Sequence, residues 1–304
     1  MTDWPLVAVR LGVYLSIGTL FGLSAFGLYA LRAGERGNSL ALRGWLAATA
    51  GAGLLLSTCW IVLLSSSMAD LPAWSVDRAA IDGVLAGGAI GTAWEVRIVA
   101  LLIAGVTVLR TKWLPLTSFA AAVALATLVW TGHGSTDEGA VGWLHLAADV
   151  VHLIASAAWT GALLGLVLLL SRPMAKIDSE HLELTHRALH GFGKIGSIVV
   201  TILVVTGLVN SWLLVGADHI VSLPATRYGQ LLLAKLALFV AMLALASLNR
   251  FRLTPSFERS IADANHARAL RALRLSLGIE TTAVIAILGL VAWLGTLAPP
   301  ATAS

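Results

Sequence analysis

Eight long apolar runs decide what this chain can fold into. They cover residues 6–30, 42–64, 92–109, 114–131, 143–170, 192–215, 229–248 and 276–297. A helix of roughly 20 such residues crosses the hydrocarbon layer of a bilayer, about 30 Å thick. Inside lipid each backbone N–H and C=O must find its partner within the segment, so these runs are helices. A chain of 304 residues that is 58% hydrophobic and only 12% charged, with a mean hydropathy of +0.87, has far more apolar surface than one soluble core can hold. The expected fold is therefore all-α: a polytopic membrane helical bundle with about eight transmembrane helices, forming a single integral membrane domain over residues 1–304.

Charge sets the expected orientation. The loops after the first, third, fifth and seventh runs hold Arg32, Arg36 and Arg43, then Arg110 and Lys112, then Arg172, Lys176, Arg187 and Lys194, and finally Arg250, Arg252, Arg259, Arg268, Arg271 and Arg274. The alternate loops carry only Arg78 and Arg227 against Asp70, Asp77, Asp82, Asp137, Glu138 and Asp218. Basic loops stay in the cytoplasm, which places both termini on the far side. A sequence pI near 9.6 thus reports topology and gives no reason to expect a nucleic-acid partner. The first run is a full span without a basic leader, so it is expected to remain as the first helix.

Several chemistries are excluded early. A single cysteine, Cys59, in an apolar run, allows no intramolecular disulfide and no CxxC motif. Met68, Met174 and Met242 are scattered, which excludes a methionine-rich copper(I) tract, and no nucleotide-binding loop is present. Any transport must draw on a gradient or a partner.

What remains is a polar stripe inside the fifth run. In WLHLAADVVHLIASAAWTG, His145, Asp149 and His152 fall at offsets of four and seven, within an arc of about 60° on a helix, and Ser156 and Trp159 continue the same face. Ionisable groups inside a membrane segment are costly and face a bundle interior or a wet cavity, which makes them a functional-site hypothesis by default. The short loop GSTDEGAV makes the fourth and fifth runs antiparallel neighbours, so His133 in TGHG is expected near the level of His145. His152 lies about 10 Å deeper, at 1.5 Å per residue. Two imidazoles from one helix, a third from its neighbour and a carboxylate make a ladder that suits a transition metal. The spacing alone also fits interhelical hydrogen bonding.

Other intramembrane charges accompany the ladder. Glu95 and Arg97 stand at the outer end of the third run, Lys235 about two turns into the seventh, and Glu280 at the inner end of the eighth. Arg97 and Lys235 are expected either to pair with Asp149 or Glu95 or to snorkel to the headgroups. His181, His186 and His190 read as solvated cytoplasmic residues, and the basic stretch RSIADANHARALRALR as an amphipathic helix on the membrane surface. No intramembrane histidine lies below His152, so no inner exit is evident.

These residues resemble the copper resistance protein D family. The resemblance rests on the GH of His133, on HLAADVVHLIASAAWTG, on the TG of Thr206 and Gly207, and on RYGQLLLAK and LNRFRLTP. TAWEVR and Glu280 also look family-like. It covers most of the chain and is strongest over residues 130–255. It implies an eight-helix bacterial inner-membrane protein that handles copper, moving the ion from periplasm to cytoplasm together with a periplasmic copper-binding partner. By that resemblance His133, His145, Asp149 and His152 would be the copper-handling residues, and the protein would not be an enzyme. Two other classes stay open: a membrane b-type haem or metal-reductase protein with His133 and a fifth-run histidine as axial ligands, and a copper sensor or scaffold without transport.

Overall fold

The computed structural model describes residues 3–36, 41–86, 88–131, 139–173, 178–262 and 267–300. Among them every regular element is helical: α1 (Trp4–Tyr29), α2 (Leu42–Met68), α3 (Arg78–Ala86), α4 (Ala89–Thr107), α5 (Leu114–Ala126), α6 (Gly139–Leu170), α7 (Ser179–Val215), α8 (Arg227–Leu248), α9 (Thr254–Ala262) and α10 (Ala267–Leu294). Seven of these helices are long and apolar enough to cross a membrane, and the shorter apolar segment Leu114–Trp130 supplies the eighth crossing. The chain is a polytopic helical bundle.

α1 is the hub. It packs against α2, α5, α6 and α10, and Ile17, Leu20, Leu23 and Phe26 along it are fully buried. A helix with neighbours on so many sides has no broad face for water, and apart from Arg10 and a few hydroxyls its residues are apolar all round. Its closest neighbour is α6. A Cβ on Gly161 would stand 2.0 Å from the Gly22 carbonyl carbon, and one on Gly22 would stand 2.0 Å from the Ala157 carbonyl oxygen. The two backbones therefore touch, as small residues allow in membrane bundles.

The bundle has two distinguishable ends. At the terminal end Trp4 packs against Trp293 at a tilt, with ring centres 4.9 Å apart, and Arg10 donates to the Gly295 carbonyl at 2.7 Å. Trp143 and Trp212 are exposed at that end and Trp45 and Trp113 at the other, the two levels where indole rings meet lipid headgroups. Between them the outer surface is apolar, with Leu55, Val106, Phe119, Leu208 and Val240 all exposed.

The basic end is tied by arginines that satisfy helix termini. An α-helix leaves its last four carbonyls without partners. Arg274 donates to the carbonyls of Leu170 and Arg172, at 2.6 and 2.8 Å, and His181 Nε2 donates to that of Leu169 at 2.9 Å. His181 is thus buried rather than solvated, because α7 begins at Ser179, well before the apolar run. The basic stretch expected as one surface helix is instead shared between α9, which ends at Ala262, and α10, whose first turns bury Leu270 and Leu273. Both differences have one cause. A hydropathy window ends where charges begin, whereas a helix continues past the lipid as long as its backbone bonds do.

Glu35 joins the loop after α1 to α7. It accepts from the Arg32 backbone N–H at 2.7 Å and from the Arg187 guanidinium at 2.5 Å. Burial pushes its carboxyl up, but these two partners outweigh it and hold the group below the ordinary glutamate range. A carboxylate depressed in the folded state stabilises the fold above its unfolded value and loses that contribution as pH falls through the folded one. Melting of the purified protein should therefore decline below about pH 4. Glu35→Gln should remove part of that decline and lower the melting temperature at neutral pH by about 2 °C, for about 1 kcal/mol.

Candidate functional site

The polar stripe of α6 faces α7, and the antiparallel register of the two helices gives each rung its own partner. Asp149 Oδ1 accepts from Asn210 Nδ2 at 2.7 Å. One turn deeper, His152 Nδ1 lies 2.8 Å from Thr206 Oγ1. Deeper still, the Trp159 ring packs on Phe192 with centres 5.1 Å apart. Between the first two rungs, three residues along α6 are matched by four along α7, a spacing that keeps each pair on the facing sides of the two helices.

The His152 contact fixes a tautomer. Thr206 Oγ1 donates its one proton to the Ile202 carbonyl at 2.6 Å. It can then only accept from the imidazole, so Nδ1 carries the hydrogen and Nε2 presents a lone pair. A histidine held in this way by one nitrogen is oriented as a ligand through the other.

His145, at the mouth of the stripe, is buried, and its Nε2 stands 3.8 Å from Asp149 Oδ2. From α8, Lys235 is close enough to both Asp149 and His152 for their charges to interact, and Tyr228 is likewise within electrostatic reach of Asp149. The cluster therefore sets one acidic and one basic side chain beside the two imidazoles. The described residues do not gather three His, Cys, Asp or Glu side chains around one point. They form two successive rungs, His145 with Asp149 and then His152 with Thr206. His133 lies outside the described residues.

The remaining intramembrane charges take separate places. Arg97 is fully buried and caps α5. Its Nε donates to Thr127 Oγ1 at 2.9 Å and its Nη2 to the Thr127 carbonyl at 3.2 Å, with the guanidinium 5.3 Å from the centre of the Trp60 ring. It thereby holds the 3-10 turn Thr127–Thr131, the start of the connection that carries His133. This cap is neither of the two roles expected for it. Glu95 faces outward from α4 among Val99, Leu116 and Phe119. Glu280 is fully buried on α10 and meets Asn249 of the π-helical turn Asn249–Leu253 that follows α8.

Sequence reasoning missed Asn210, and it noted Thr206 and Asn249 only within family motifs. Thr206 and Asn210 stand four apart in an apolar run, a spacing that puts two polar side chains on one helix face and could have marked α7 as the partner.

Two family models match the chain. One, described as copper resistance protein D-like, N-terminal domain, covers residues 1–143, and the other, copper resistance protein D, covers 186–294. The chain belongs to the copper resistance protein D family. It is 42% identical over 98% of its own length, and 98% of the relative's, to Copper resistance protein D of Pseudomonas syringae pv. tomato. Inner membrane protein YebZ of Escherichia coli K12 is 29% identical over 53% of each chain. Copper transport protein CutJ of Bacillus subtilis is 33% identical over 45% of this chain and 24% of that protein. No solved structure matches the chain. Within the family match, the model labelled copper resistance protein D includes Thr206, Asn210, Lys235, Asn249 and Glu280, whereas the α6 stripe from His145 to Trp159 falls between the two matched segments.

Proposed function

We propose that this protein carries copper across the bacterial inner membrane, from periplasm to cytoplasm, along the rungs between α6 and α7. The reading makes the terminal end of the bundle periplasmic, with both chain termini there, and treats the whole chain as one membrane domain. His133, His145, Asp149 and His152 handle the ion, which arrives on a periplasmic copper-binding protein. Copper is cargo, and no residue is assigned a catalytic role. Membership of a copper resistance family supports the metal, and the name of the CutJ relative supports transport.

The observation that carries the reading is the pair of rungs. Imidazole nitrogen suits copper, and a conducting path needs sites that bind well enough to load but weakly enough to release. Rungs of one or two ligands meet that need better than a closed four-ligand cage. Lys235 reinforces it, since its charge compensates Asp149 in the empty site and opposes long residence of a cation. A haem reading would need two histidines facing each other at one depth. Among the described residues, His145 faces a carboxylate and His152 a threonine.

Thr206→Val removes the acceptor that orients His152 while keeping the side chain's shape. Copper affinity is expected to fall about tenfold, as for other residues that orient metal-binding histidines, with melting lowered by only about 1 kcal/mol. Isothermal titration and thermal unfolding on the same preparation check both. The cellular test is copper accumulation. Cells expressing the protein should gain copper, and His133→Ala or His152→Ala at equal membrane abundance should lose the gain. A sensor or scaffold predicts no gain even for the unaltered protein.

A further inference from the structure

Below the His152 rung, α7 and α8 stand apart and leave a vestibule of about 630 Å³ that opens at the basic end. Trp159, two turns below His152 on the same stripe, forms part of its wall, so it comes within about 10 Å of that rung along α6. Among the described lining residues His190 is the single histidine, with no second one beside it.

Four buried polar atoms in and beside this vestibule have no hydrogen-bond partner among the described residues. They are Glu280 Oε2, Asn249 Oδ1, Trp159 Nε1 and Ser276 Oγ. The first two belong to side chains already joined, since Asn249 Nδ2 donates to Glu280 Oε1. The joined edge uses the amide's donor and leaves two acceptors on the other edge. If Glu280 were ionised, both would be buried without a partner, and its charge would have no ion pair among the described residues. Burying such groups unpaired is costly. A hydrogen on Oε2 turns that oxygen into a donor, which can close the second edge of an acid–amide pair on Oδ1. A single proton then satisfies both orphaned atoms.

We propose that Glu280 and Asn249 form a proton-binding site at the head of this vestibule, exchanging protons with the compartment at the basic end. Two of the charged groups along the vestibule, Arg250 and Glu258, are engaged elsewhere. From α7, Lys194 and His190 line it. From the π-helical turn, Arg250 donates to Ser197 Oγ. From α9, Glu258 pairs with His186 at 3.5 Å. α6 contributes only Trp159 and Leu166, and α10 itself Leu273 and Leu277. An amide oxygen facing a carboxylate oxygen is bridged by a single O–H···O bond, so the proton is the cation that fits. Ser276, one turn toward the basic end on the face of Glu280, offers a hydroxyl step for its passage. The reaction is a plain proton transfer: water or hydronium at the mouth gives a proton to the Glu280 carboxylate, and the carboxylic acid returns it.

The coupling of this proton to copper rests on the transport reading, because only the ionised form can draw a copper ion down from His152. The binding site itself does not. Infrared difference spectra of the copper-free, full-length protein in lipid nanodiscs, recorded while the medium is made alkaline, test the site directly. A hydrogen-bonded carboxylic-acid carbonyl band should be present at neutral pH and bleach on alkalinisation. It should be absent in Glu280→Gln, whose amide can donate to Asn249 Oδ1 in place of the acid proton and keep the fold. In Asn249→Ala the band should persist at a shifted frequency. Proteoliposomes should show copper uptake that varies with internal pH in the unaltered protein and falls at least tenfold in Glu280→Gln. An acid band unchanged by Glu280→Gln, or one that never bleaches, overturns the proton site whatever the transport result. Failure of uptake in the unaltered protein, with the band behaving as described, overturns the transport reading alone.

Discussion

Replacing His152 by alanine is expected to lower copper affinity by about a hundredfold and leave the fold intact. The loss should be large because the imidazole is held with one nitrogen on Thr206 and the other presented as a ligand, and losing even an orienting group at a metal site costs tenfold to a hundredfold. The fold should survive because Thr206 keeps its own bond to the Ile202 carbonyl and Ser156 donates to the His152 carbonyl, which alanine retains. Titration calorimetry paired with thermal unfolding separates the two effects. Wild-type affinity in the variant would remove His152 from the site. Asp149→Asn should also weaken binding, by less, since it keeps the contact with Asn210 but gives up the charge.

A second large effect is expected at the contact of α1 with α6. Gly161→Ala places a methyl 2.0 Å from the Gly22 carbonyl carbon and 2.4 Å from the Leu23 nitrogen. Neither atom can swing aside as the end of a side chain could. Overpacking relieved by side-chain shifts costs about 1–3 kcal/mol. A clash between backbones should exceed that and consume much of a typical stability of about 5–15 kcal/mol. Gly161→Leu should leave no folded protein in the membrane fraction. Gly105 in α4 has open space around its Cα, and Gly105→Ala should be neutral or stabilise by up to about 1 kcal/mol. Size-exclusion profiles and melting curves of the three variants in detergent distinguish a packing defect from a general intolerance of larger side chains. Because α6 also carries the stripe that faces α7, loss of this contact should abolish copper binding along with the fold.

The crossings were legible in the sequence because lipid imposes a simple demand: a span must be long, apolar and internally hydrogen-bonded. Where that demand stops, legibility stops with it. The early start of α7 is hidden in turns whose charges resemble those of a loop, and only the burial of His181 against the end of α6 shows that the helix has begun. The α6 stripe was visible because its ionisable residues repeat at helical spacing within one run. Its partners Thr206 and Asn210 are uncharged and modest in a hydropathy profile, although their spacing of four was available. The pairing of Asn249 with Glu280 could not be read at all, since it joins residues 31 apart across a π-helical turn with no sequence signature. Arg97 shows a different limit. Its charge suggested an acidic partner, whereas the structure uses it on the backbone carbonyl and hydroxyl of Thr127 at the end of α5.

Uptake into proteoliposomes that hold a copper-chelating dye tests the proposed path most directly. With copper supplied outside, vesicles containing the protein in the orientation that exposes its terminal end should develop the dye signal, and those with His152→Ala should not. Intact copper binding without any uptake, in either oxidation state of the ion, would contradict transport along the α6–α7 rungs and leave a sensing or redox role for the same residues.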